Sequence, residues 1–121
     1  MMASLENLRD VLALIPGIAS SKIGLEANIS PVDYPMIRIV PSRILDAAAL
    51  GRRRAEVMIY FGANTSEAEG GLEGVYDALF GLETSIRTAL NAAGGRYIET
   101  ITDEDRLDTY KLMVVRGEVE G

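Results

Sequence analysis

Three features of the 121-residue chain predict an α+β fold. The expected architecture is an antiparallel or mixed sheet of about four strands with two helices packed on one face. The first feature is the stretch from Leu72 to Ala93, whose apolar residues fall at Leu72, Val75, Leu79, Leu82, Ile86, Leu90 and Ala93. Intervals of three and four put them on one side of a 3.6-residue helix. The second is a pair of extended runs on each flank of that helix, and the third is a shorter amphipathic stretch at the start. The order reads α-β-β-α-β-β, in a single domain spanning 1–121.

The first helix takes Ser4 as its N-cap and carries Leu5, Leu8, Val11, Leu12 and Ile15 as an apolar stripe, and Pro16-Gly17 ends it. From Ile18 to Pro35 no period persists. Lys22 to Leu25 reads as a short extended piece, and Pro31 and Pro35 mark bends. Met36-Ile37-Arg38-Ile39-Val40 is a strand bounded by Pro35 and Pro41. Ser42 to Arg54 is expected to be a connecting loop, with a helical turn through Leu45 to Leu50. Ala55 to Phe61 is the next strand, ending at Gly62.

Glu67 and Glu69 lead into the long helix, where acidic residues suit the positive end of the helix dipole. Gly94-Gly95 supplies its stop, because glycine accepts the left-handed conformation that satisfies the last carbonyls. Tyr97 to Thr102 and Leu107 to Val119 then read as two strands joined by Asp103-Glu104-Asp105-Arg106, a hairpin pattern.

Composition narrows function. Hydrophobic residues make up 48% and charged residues 25%, as in ordinary soluble domains. No apolar run approaches a membrane span, and the start of the chain lacks a signal-peptide pattern, so a cytoplasmic site of synthesis and no membrane partner are expected. The absence of cysteine removes disulfides and thiolate metal sites. The absence of histidine removes the Ser-His-Asp triad, a histidine base and histidine metal ligands. A net charge of −6 argues against a protein whose work is gripping phosphates.

Asp103, Glu104, Asp105 and Asp108 could bind a hard cation, but they lack the glycine and distal glutamate of a calcium loop and read as a solvated turn. Gly70-Gly71 before the helix lacks the lysine and hydroxyl of a phosphate loop. No enzyme motif and no cofactor are expected. Arg52, Arg53 and Arg54, with Arg43 nearby, form the dense basic cluster of the chain. It reads either as a loop that docks on an acidic partner or as a solvated loop.

On the long helix, Tyr76, Phe80, Glu83 and Arg87 make a shoulder beside the apolar stripe, with Glu83 and Arg87 spaced for an ion pair. Two aromatics there either meet a partner protein or lap the edge of the core. Gly74 and Gly81, with Ala78 and Ser85, form a strip of small residues that admits another backbone or tolerates a kink.

The strands carry apolar residues on both sides. On the last one Tyr110, Leu112 and Val114 oppose Lys111, Met113 and Val115, and on the second Val57, Ile59 and Phe61 oppose Met58 and Tyr60. Two helices cover one face, so a second copy is expected to cover the other, with Met113 and Val115 as interface residues.

A leading helix stopped by Pro16-Gly17, the strand Pro35 to Pro41, the strand Ala55 to Tyr60, a helix with Tyr76-Asp77-Ala78-Leu79 and Ile86-Arg87-Thr88-Ala89-Leu90, and a closing hairpin ending Lys111 to Val115 form a recognisable order. This order resembles the tail terminator (tail completion) proteins of tailed bacteriophages and prophages. The resemblance implies a homo-oligomeric ring, usually a hexamer, that caps the tail tube, ends its polymerisation and meets the head-tail connector. It implies no catalytic residue, no sequence-specific nucleic acid binding although DNA passes through, and a place first in the host cytoplasm and then in the virion tail. The competing expectations are a small α+β regulatory or ligand-binding module that dimerises through its sheet, and a carboxylate-dependent enzyme.

Overall fold

A computed structural model describes residues 1–46, 52–64, 71–102 and 110–121. Its elements are α1 (Met2–Ala13), β1 (Ser20–Ile23), a 3-10 turn (Pro31–Asp33), β2 (Met36–Asp46), β3 (Arg53–Asn64), α2 (Gly71–Ala92), β4 (Arg96–Ile101) and β5 (Tyr110–Glu120). The fold is α+β, with a five-stranded sheet in the order β1-β2-β3-β5-β4. β1 runs parallel to β2, and every other pairing is antiparallel, so the sheet is mixed.

The fifth strand corrects the expected count of about four. β1 is only four residues long and half-buried, too short for a period to show, and its pairing with β2 holds it in place. α1 also departs from expectation at its start. Ser4 does not cap it; the helix begins at Met2, and the Ser4 hydroxyl donates instead to the Glu120 carbonyl at 2.8 Å, tying the two ends of the described chain together.

β2 does not stop at Pro41. A register shift between Pro41 and Arg43 absorbs the proline, and the strand continues to Asp46 opposite Arg53. The expected loop from Ser42 to Arg54 is therefore strand at both ends, and the expected helical turn is strand at Leu45 and Asp46. The rest of that turn, 47–50, lies outside the described residues, as do residue 51, the expected link 103–106, residues 107–109, Glu67, Glu69 and Gly70. β3 likewise runs past Gly62 to Asn64.

α2 matches its expected span to within one residue at each end. Its stop is a Schellman motif: Gly94, at φ +81°, donates to the Asn91 carbonyl at 3.1 Å, and Gly95 donates to Leu90 at 2.9 Å. Val75, Leu79, Ile86, Ala89 and Leu90 are buried against Val57, Ile59, Phe61, Met113 and Val115, with Leu5, Leu8 and Leu12 of α1 completing the core. Leu72 is the exception. It lies in the first turn, is 68% exposed and does not join the stripe.

Met113 and Val115 therefore point into the core under the helices, contrary to their expected role at an interface. The opposite face, carrying Met36, Arg38, Tyr60, Leu112 and Val114, is not left for a partner to cover in full. Met36, Arg38 and Val114 are completely buried within the single chain. The segment 24–35 folds over them. Glu26 accepts a hydrogen bond from Arg38 Nε, the Ser20 hydroxyl donates to the Asp33 carbonyl at 2.8 Å, and the Tyr34 ring sits over Gly62, where a Cβ would lie 3.3 Å from it. A segment without period became the cover that a second copy was expected to provide.

Candidate interaction surface

The helical spacing that buries Val75, Leu79 and Ile86 turns Tyr76 and Phe80 about a quarter-turn away, toward the β5 and β4 side of the sheet. Their ring centroids are 5.9 Å apart with planes inclined at 34°, and they are 37% and 51% exposed. With exposed Leu72 one turn earlier, they form an apolar stripe along a helix whose other stripe is already buried. The Lys111 ammonium, from β5, lies 5.0 Å from the Tyr76 centroid. Two turns beyond Phe80, the Arg87 guanidinium lies 4.0 Å above the Tyr97 ring of β4 and 3.6 Å from Glu83 Oε1. Tyr76, Phe80, Glu83 and Arg87 thus share one side of α2, with Phe80 half-exposed and Tyr76 more covered.

The basic cluster has a different setting. Arg54 Nε is 3.0 Å from Glu118, Arg52 is 3.2 Å from Glu120, and Arg43 is 3.7 Å from Glu56. These pairs lie across strands on the face opposite the helices, because Arg43 is in register with Glu56 and Arg54 with Glu120, diagonal to Glu118. The cluster is therefore partly strand, with Arg53 and Arg54 in β3. Its acidic counterparts come from β3 and β5 of the same chain. Arg53 differs: its strand parity points it to the other side, it is exposed, and no ion pair joins it among the described residues.

The acidic partners, Glu118 and Glu120, escaped the reading of the sequence. The available signal was the alternation Glu118-Val119-Glu120, which matches Arg52-Arg53-Arg54 once the two segments are aligned as antiparallel neighbours. Lys111 likewise stands in the sequence only as a strand residue.

A second feature lies between the helices. Ile15 to Ile18, Pro35, Ala63 and the α2 residues Ala78, Gly81, Leu82 and Ser85 enclose a half-open apolar cleft of about 250 Å³. The strip of small residues opens here onto space, since a Cβ on Gly81 would meet nothing within 4 Å. The Ser85 hydroxyl is turned back onto the Gly81 carbonyl at 3.2 Å, and among the described residues the cleft walls contain no titratable group.

Among the described residues no group of three carboxylates is placed to hold a cation, and the acidic run at Asp103, Glu104, Asp105 and Asp108 lies outside them. Among the described residues no helix is long and apolar enough to cross a membrane. No protein-family model matches this chain, and no curated protein matches it either.

Proposed function

We propose that this protein is a structural component of a phage-type tail, which caps the tail tube as a ring of copies, ends tube polymerisation and joins the tube to the head connector. The order of elements resembles the tail terminator proteins, and the observation that carries the assembly role is the exposed stripe Leu72, Tyr76 and Phe80 on α2. Aromatic residues are enriched in the centres of protein interfaces, where one turn of helix offers a rigid, largely apolar contact. Glu83 and Arg87 border the stripe with an ion pair and would set orientation rather than strength. A net charge of −6 suits a ring through which DNA slides, because attraction to phosphate would slow its passage.

The test uses tubes assembled from the tube protein of the same phage or prophage. Wild-type protein should decorate tube ends and stop their growth, as seen by electron microscopy. The combined variant Tyr76→Ser, Phe80→Ser should keep its circular dichroism spectrum and leave the ends bare. Ends that stay bare and continue to grow with wild-type protein would overturn the proposal.

A further inference from the structure

β4 is the last strand of the sheet, and its outer edge has no strand partner among the described residues. An open edge is a template for another chain. Two further features converge on the same side. The α2 shoulder overhangs this margin, since Arg87 stacks on Tyr97 of β4 and Lys111 of β5 lies against Tyr76. The Tyr76 and Phe80 rings thus stand on the flank of α2 that faces β5 and β4.

The third feature is charge. The register shift between Tyr97 and Glu99 inserts one extra residue, so Arg96 and Glu99, three apart in sequence, face the same side of the sheet. Each pairs inward with β5: Arg96 with Glu118 at 2.9 Å, and Glu99 with Arg116 at 3.3 Å. Both remain open outward, with side chains 73% and 51% exposed.

We propose that the free protein is a two-fold dimer in which β4 pairs antiparallel with β4 of a second copy. A two-fold axis between Tyr97 and Ile98 sets Arg96 opposite Glu99 of the other copy, and the same contact recurs with the copies exchanged. Along the row the signs then alternate: Glu118, Arg96, then Glu99 and Arg116 of the second copy. A parallel, in-register pairing would set Arg96 against Arg96 and is disfavoured. The arginine fork has five N–H donors, enough for Glu118 and a second carboxylate together.

The same axis brings the two α2 shoulders toward each other above the joined sheet and reduces the exposure of Phe80. A contact of this kind uses the same patch on both copies and closes on itself at two, whereas an edge that met a different surface would close only as a larger ring or run on as a filament. It covers the open β4 edge and brings the aromatic stripe toward its copy. The inference concerns the protein before any partner is present and does not rest on the tail reading.

Sedimentation from low to high micromolar concentration tests it, alongside hydrogen exchange. Wild-type protein should dimerise, and amide exchange in Arg96 to Ile101 should slow as concentration rises. Arg96→Glu should weaken dimerisation at least about tenfold. Adding Glu99→Arg to that variant should restore it, because the intermolecular pairs re-form with signs exchanged. Both inward pairs with β5 remain broken in the double variant, so an effect confined to the monomer would leave it worse than the single one. A wild-type monomer at high micromolar concentration would overturn the proposal, as would a folded double variant no better than Arg96→Glu. Should Arg96→Glu unfold the chain, the concentration dependence of β4 exchange in wild-type protein decides alone.

Discussion

Arg96 on β4 donates twice to one oxygen of Glu118 on β5, at 2.9 Å from Nε and 2.5 Å from the terminal nitrogen. Glu118 is itself only 6% exposed and receives Arg54 from β3 on its other side, so one carboxylate joins three strands. Glu118→Gln should destabilise by about 1 kcal/mol, below the usual range for a charged hydrogen bond, because Arg54 and Arg96 can turn to water. Arg54→Glu should lower stability by a similar ~1 kcal/mol through like-charge contact, while Arg53→Glu should stay within about 0.5 kcal/mol of wild type. Urea midpoints at constant slope check the order. Equal effects at 53 and 54 would contradict the strand register.

Arg38 is the largest of the fully buried side chains, and Glu26 is the carboxylate that faces it. Glu26→Gln should cost about 1 to 2 kcal/mol, held to the lower part of the range because the carboxylate is one-third open to water. The Arg38 hydrogen bond, reinforced by the charges of Arg38 and Lys22 and opposed by partial burial, holds the Glu26 carboxyl below its ordinary range. A depressed carboxylate stabilises the fold above its unfolded value, and that contribution disappears as pH falls through the folded value. The stability difference between wild type and Glu26→Gln should thus persist at neutral pH and close only below the ordinary carboxylate range. A gap that widened on acidification would refute the pairing.

Gly62 has no room for a side chain. A Cβ there would lie 2.4 Å from Leu112 Cδ2 and 2.9 Å from the Lys111 carbonyl, with Tyr34 at 3.3 Å. Gly62→Ala should destabilise by roughly 1 to 3 kcal/mol and raise proteolysis within 24–35, because the covering segment must lift to make space. Unchanged proteolysis would show that this cover does not depend on the close approach.

Leu79 and Ile86 are wholly buried, whereas Thr84 is exposed and its hydroxyl donates to the Phe80 carbonyl at 3.2 Å. Leu79→Ala and Ile86→Ala should each cost roughly 2 to 5 kcal/mol. Thr84→Ala should be nearly silent in thermal melts. A melt in which Thr84→Ala was the most damaging would reverse the helix register.

Periodicity by itself located α2, its glycine stop and the cores of β2, β3, β4 and β5, because backbone geometry repeats every 3.6 or 2 residues and marks the local chain directly. It also separated the Tyr76 and Phe80 shoulder from the core stripe, and the missing histidines and cysteines excluded whole classes of chemistry before any fold was known. Tertiary structure decided the rest. Only strand register assigned Met113 and Val115 to the core, matched Arg52 and Arg54 to acids more than sixty residues away, and added β1 as a parallel neighbour of β2. Only the path of 24–35 over Met36, Arg38 and Val114 showed that the chain covers much of its second apolar face itself. Periodicity says that a residue is on a face. Which face meets which is set by contacts between distant segments, and those contacts are chosen by the packing of the whole sheet.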